Sequence, residues 1–301
     1  MQKEFVILNY KRFRTYVVAN APLLRLHTGM LWAEGPVWFA DLGILLVSDV
    51  PSEQILRFVD GQPPTVFRAP SGNANGNTRD RQGRLITCES GNRRVVRTEL
   101  DGRQTVLADS HDGKRLNSPN DIVVRSDDSV WFTDPDYGIL SDYTGNRAHS
   151  ELGRRCVFRI DPRSGTTVAT DELDKPNGLA FSPDERILYV ADSGATHDPG
   201  GPHEIVAFDV SADGTLSRRR TFAVIDPGVP DGFRVDVDGN IWTSAADGVH
   251  CFTPDGELIG KILVPETVTN LTFGGPKRNR LFITAASSLY SVHVGTRGLP
   301  L

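Results

Sequence analysis

The sequence predicts an all-β protein, a six-bladed β-propeller closed by a strand from the N-terminal end. Three observations predict it. A phrase recurs six times along the chain at the spacing of four-stranded blades. Each copy carries hairpin punctuation, a Gly, Asp or Asn turn between runs of period-two alternation. No segment carries a long helical period, which argues against βαβ architectures.

The copies begin Glu34-Gly35-Pro36-Val37-Trp38, Asn75-Gly76-Asn77-Thr78, Asn120-Asp121-Ile122-Val123-Val124, Asn177-Gly178-Leu179-Ala180-Phe181, Asp231-Gly232-Phe233-Arg234-Val235 and Asn270-Leu271-Thr272-Phe273. Their starts lie 41, 45, 57, 54 and 39 residues apart, the long intervals holding turn-rich insertions at 135–153 and 193–203. Turns follow at Asp41-Leu42-Gly43, Arg81-Gln82-Gly83, Ser126-Asp127-Asp128, Ser182-Pro183-Asp184, Val237-Asp238-Gly239 and Lys277-Arg278-Asn279, each leading into an alternating strand. The sixth copy ends after a third strand, Leu289–Val294, so its fourth is expected from Leu23–His27. Closing the ring in this way removes the free sheet edges of a linear stack. Residues 1–301 read as one domain, with 1–20 an N-terminal extension that the repeat does not assign.

Charge and cysteine content exclude several classes. Lys and Arg number 33 against 38 Asp and Glu, a net charge of −5, and the basic runs (Arg218-Arg219-Arg220, Arg154-Arg155) are short. That gives no electrostatic footprint for nucleic acid. Cys88, Cys156 and Cys251 are isolated, without the pairing of a disulfide framework or a zinc site. The first 18 residues interrupt their apolar positions with Lys3, Glu4, Lys11, Arg12 and Arg14, and no later stretch approaches a membrane span. The expectation is a cytoplasmic protein, with no membrane partner and an open oligomeric state.

The first residue of each phrase bears oxygen: Glu34, Asn75, Asn120, Asn177, Asp231 and Asn270. In a propeller these positions face the central channel at one end. Carboxylate and amide oxygens without Cys or His select hard cations, Ca²⁺ before Mn²⁺ or Mg²⁺. Against this stands the plain reading of Asn-Gly and Asp-Gly as turn dipeptides. Glu34 is a poor turn former, and Pro119, Pro176 and Pro230 fix the backbone ahead of Asn120, Asn177 and Asp231, which favours the cation. Asp134 and Asp136 beside Tyr137 read as a turn after a strand, and Arg93-Arg94 as surface or blade-edge residues. The histidines avoid the channel positions, and no GxSxG motif is present.

Taken in order, the stretches Trp32–Trp38, Ala74-Asn75-Gly76, Leu85–Val95 (LITCESGNRRV), Leu116–Val123 (LNSPNDIV), Trp131–Gly138 (WFTDPDYG), Pro176–Ser182 (PNGLAFS) and Pro230–Asp236 (PDGFRVD) resemble the senescence-marker-protein, gluconolactonase and luciferin-regenerating-enzyme family from about Phe5 to Val294. The resemblance implies a six-bladed propeller with a divalent cation, Ca²⁺ first and Mg²⁺, Mn²⁺ or Zn²⁺ as alternatives. Glu34, Asn177 and Asp231 would be ligands, Asn120 a ligand or substrate contact, and Asn75 a substrate-binding amide. It assigns no ligand role to Asn270, which is expected to be structural. Two positions depart from the family: Ser118 stands where animal members carry Arg, and Ser90 where many bacterial relatives carry His.

The expected activity is hydrolysis of a sugar lactone, the cation polarising the lactone carbonyl and Asp231 activating water or attacking directly. Phosphotriester or aryl-ester hydrolysis on the same cation is the alternative, and a non-catalytic propeller pinned by calcium is a third reading.

Overall fold

The computed structural model describes residues 4–300. Six antiparallel sheets, five of four strands and one of five, stand around an axis in sequence order, with strands running outward from the axis in each. The innermost strands are Ala33–Phe39, Ala74–Arg79, Ile122–Val124, Pro176–Phe181, Phe233–Val235 and Val268–Gly274. The sixth sheet takes its outer strand, Leu24–Thr28, from the N-terminal end, paired with Ser288–His293 (Leu24 opposite Ser291, Thr28 opposite Ser288). The expected closing strand is therefore present, one residue later than read from the sequence.

The blades hold together through their faces. In the second strand of every blade nearly all residues are buried, because both faces pack against neighbouring sheets. Apolar side chains form six clusters, one at each junction between adjacent blades. The junction of the sixth blade with the first seals the ring, with Trp38 stacked on Phe282 at 5.5 Å and Met30, Leu45 and Val47 buried around them. The three cysteines are buried thiols within these packed layers. Among the described residues no helix is long and apolar enough to cross a membrane.

Residues 4–20 acquire a role that sequence pattern did not assign. Phe5–Ile7 adds a fifth strand to the outer edge of the fifth blade, against Leu258–Leu263. A short helix, Tyr10–Phe13, then turns Phe13 inward until it is fully buried, 6.0 Å from the Trp242 ring. Gly260 makes the room, since a β-carbon there would collide with the Phe13 ring. The extension thus covers a sheet edge and caps an apolar cluster. Truncating Phe13→Ala leaves a cavity beside Trp242, and a loss of about 3–5 kcal/mol is expected in urea unfolding.

Candidate active site

Strand pairing fixes which inner-strand residues share a level. Val37, Thr78, Val123, Ala180, Arg234 and Thr272 pair with Leu46, Ile86, Trp131, Tyr189, Trp242 and Phe282, each three residues before the end of its second strand. Three residues back along the inner strands stand Glu34, Asn75, Asn120, Asn177, Asp231 and Thr269. Five of the six expected channel residues share this upper level. The sixth is corrected: Thr269 holds the position, donating its hydroxyl to the Ala33 carbonyl, and Asn270 lies one step deeper.

That deeper level explains the glycines. Gly35, Gly76, Gly178 and Gly232 occupy it in four blades, whereas Asp121 and Asn270 occupy it in the third and sixth, which face each other across the ring. Asn270 Nδ2 reaches Asp121 Oδ2 at 3.5 Å and Glu34 Oε2 at 3.3 Å. The axis has space for two side chains at this depth. A β-carbon on Gly232 would strike the Asn270 amide, and one on Gly76 would strike the Asn120 carbonyl and Asp121. The Asn-Gly and Asp-Gly pairs are thus points of close approach between inner strands, with Gly76 N–H donating to the Asn120 carbonyl at 2.7 Å and Gly178 N–H to the Asp231 carbonyl at 3.1 Å. Asp121 was missed as a site residue, although its place in a series of glycines was visible in the sequence.

The upper level is rich in acceptors and poor in positive charge. Glu34 and Asn177 are buried, and Asp231 is encased in protein while keeping an accessible face. Burial, reinforced by the Asp231 and Asp121 charges, pushes the Glu34 carboxyl well above the ordinary range. Burial and the Asp121 charge raise Asp231 to about 7, while hydrogen bonds from Asn177 and Glu34 pull it down. Burial likewise raises Asp121, with Arg234 opposing from below at 3.6 Å. Asn177 Oδ1 is buried without a hydrogen-bond partner, and an orphaned acceptor is costly to keep. The Asn75 and Asn120 side chains make no hydrogen bond within the described residues, leaving both amides available at this level. No three His, Cys, Asp or Glu side chains stand in a ligating array among the described residues. A cation here would therefore draw on amide as well as carboxylate oxygens, and the donor set fits a hard divalent ion.

Carboxylates at the ends of the second strands set the upper level in place. Asp49 accepts from the Leu31 and Trp32 N–H groups at 3.0 and 3.1 Å, Asp134 from Asn117 and Ser118 at 2.8 Å each, and Asp192 from Asp174 and Lys175 at 2.9 and 2.8 Å. Each clamps the backbone two residues before a channel residue: Glu34, Asn120 and Asn177. Asp134 is thus a fully buried clamp rather than the turn residue expected. Arg93, expected on the surface, is also buried, its Nε donating to the Leu116 carbonyl at 2.6 Å.

Insertions wall the upper mouth. Tyr137 opens a short helix, Tyr137–Leu140; its hydroxyl lies 3.5 Å from Thr196 Oγ1, and its ring lies beside His197 and 5.2 Å from the Lys175 ammonium. Burial foremost, with the Asp231 charge contributing, raises the Tyr137 phenol. Lys175 and Arg155 converge on Asp136 at 2.6 and 2.9 Å. Ser90 and Ser118 meet here as well. A β-carbon on Gly138 would crowd both Ser118 and Ser90, whose hydroxyls hold the Pro135 and Pro119 carbonyls. Small side chains at 90 and 118 let this loop settle against the channel.

A six-bladed ring with an acceptor-rich upper mouth defines the class. Residues 32–287 match the family model described as SMP-30/Gluconolactonase/LRE-like region, and the chain belongs to that family. It is 32% identical to a gluconolactonase of Zymomonas mobilis over 93% of this chain and 83% of that one. A regucalcin of Xenopus laevis is 26% identical over 84% and 82% of the two chains. Among solved structures, a gluconolactonase of Xanthomonas campestris superposes with a TM-score of 0.90 at 37% identity, covering 97% of this chain and 95% of the other. Lactone hydrolysis is the family-level activity these relatives support.

Two outcomes follow from the clamps. Asp192→Ala strands the buried Lys175 N–H and the partly buried Asp174 N–H, and a loss of about 2–3 kcal/mol is expected in urea unfolding. Asp134, raised by burial to about 7, keeps its proton in the folded protein up to a pH where the unfolded chain has lost it. Its contribution to stability therefore falls as pH rises from about 4 to about 7. Urea midpoints at pH 5 and pH 7.5 should differ less in Asp134→Asn than in the parent.

Proposed function

We propose that the chain is a divalent-metal-dependent lactonase that opens a sugar lactone of the glucono-1,5-lactone type. The observation that carries this reading is the unpartnered Asn177 Oδ1 beside two carboxylates, the buried Glu34 and the partly accessible Asp231. Glu34, Asn177 and Asp231 would hold the cation, Ca²⁺ above Mg²⁺, Mn²⁺ or Zn²⁺, with Asn120 completing the set. The cation, when bound, supplies a Lewis acid for the lactone carbonyl oxygen.

The remaining work falls to side chains. Asp231 keeps an accessible face, and the adjacent cation would hold it ionised, a weak base within reach of water. It takes a proton from the attacking water while the water oxygen bonds to the carbonyl carbon. The ring C–O bond then breaks, and the released ring oxygen takes up a proton to give the hydroxy acid. Asn75 and Asn120 offer donors and acceptors to sugar hydroxyls, and Tyr137 stands over the same mouth. Glu34, hydrogen-bonded by Asn270 and the Gly35 N–H and walled by strand, serves ligation rather than proton transfer.

Two measurements test the reading. Calorimetric titration with Ca²⁺ should show one site per chain, weakened at least tenfold in Glu34→Gln. In a pH-stat assay on glucono-1,5-lactone, Asp231→Asn should lower kcat by about 10²- to 10⁴-fold. A calcium-loaded protein inert toward sugar lactones would refute the assignment.

A further inference from the structure

The channel has a second mouth. Past the Asp121–Asn270 level the inner strands open on a cavity of about 520 Å³ whose lining includes none of Glu34, Asn75, Asn120, Asn177 or Asp231. Its volume is that of a small-molecule site. Part of its wall is apolar, formed by Val37, Val123, Phe181, Val235, Phe273 and Leu299.

Four arginines and three acids also line it, and their pairings are unequal. Asp41 is engaged by Arg79 at 2.6 Å. Asp80 turns to Arg84, accepting from its Nε at 2.7 Å and its backbone N–H at 2.8 Å. Glu185 accepts from the Ser126 N–H at 2.8 Å and pairs with Arg125 at 3.5 Å. Arg81 has Asp128 at 4.0 Å, at an exposed rim. Among the described residues the other two guanidinium groups keep donors to spare. Arg234 places one nitrogen on the Phe233 carbonyl at 2.7 Å and meets Asp121 only at 3.6 Å, beyond hydrogen-bond length. Arg278 makes no ion pair or side-chain hydrogen bond among the described residues.

We propose that this lower cavity binds a small organic carboxylate. The anion engages Arg234 and Arg278, and an apolar body lies against Phe181 and Phe273. A guanidinium fork matches a carboxylate in geometry and charge, and the apolar part of the wall offers contact to the body of the ligand. A hydrated inorganic anion would gain the charge contact but nothing from the wall. The site is separated from the upper mouth by the Asp121–Asn270 level, so the proposal stands apart from the lactonase reading.

Calorimetry on the full chain, with chelator present, tests it using benzoate, inorganic phosphate and gluconate as probes. Benzoate should bind, with phosphate and gluconate weaker by about tenfold or more. Arg278→Gln keeps the aliphatic stem and should reduce benzoate affinity by about tenfold, the loss of a charge-assisted contact. Arg234→Gln should do the same, with native far-UV circular dichroism confirming that both variants are folded. Absence of benzoate binding, equal affinity for phosphate, or full affinity in Arg278→Gln would each overturn the proposal.

Discussion

Six inner strands converging on one axis impose a limit on volume, and the rest of the molecule answers to it. At the level of Gly35, Gly76, Gly178 and Gly232 the strands come so close that four blades surrender their side chains. The space released admits Asp121 and Asn270 from opposite blades, and these meet across the axis. One level higher, the same convergence brings Glu34, Asn177 and Asp231 within electrostatic reach of one another. The blocked level divides the channel into two mouths of different chemistry, the upper acidic and rich in amides, the lower apolar and rimmed with arginine.

Crowded carboxylates in a buried setting oppose folding, since each ionised group forfeits hydration and repels its neighbours. The upper level persists because the scaffold over-determines it. Packed second strands present Asp49, Asp134 and Asp192 to the backbone just ahead of the channel residues, and inter-blade clusters hold those strands rigid. Stability is thereby concentrated in the blade junctions, leaving the axis free to carry an arrangement that is unfavourable by itself. Such a division is common at functional sites, where local strain is offset by the surrounding structure.

The loops apply a different constraint. Blade spacing is set by sheet packing, so insertions can lengthen only at the rims, and the two longest intervals both contribute to the upper mouth. Tyr137 and His197 come together from insertions in the third and fourth blades, beside Lys175 at the entry to the fourth inner strand. The small side chains of Ser90 and Ser118 leave the volume that the Gly138 turn takes up. Shape at this mouth is thus decided jointly by residues far apart in the chain.

Much of this was legible in the sequence because a propeller repeats its chemistry at fixed spacing. Blade number, the closing strand near Leu24 and the upper-level residues Glu34, Asn75, Asn120, Asn177 and Asp231 all follow from the six aligned phrases. Asn270 did not, and the reason is a bulge. In the sixth blade the extra residue falls between Val268 and Asn270, whereas in the first it falls between Glu34 and Val37, so the inward direction shifts by one residue without a change in composition. The burial of Phe13, Arg93 and Asp134 was hidden for a related reason, since each acquires its surroundings from strands distant in sequence. Alternation and turn residues, being local, determined the repeat; which side chains meet at the axis was decided by bulges and by blades packing across it, and these exist only once the ring is closed.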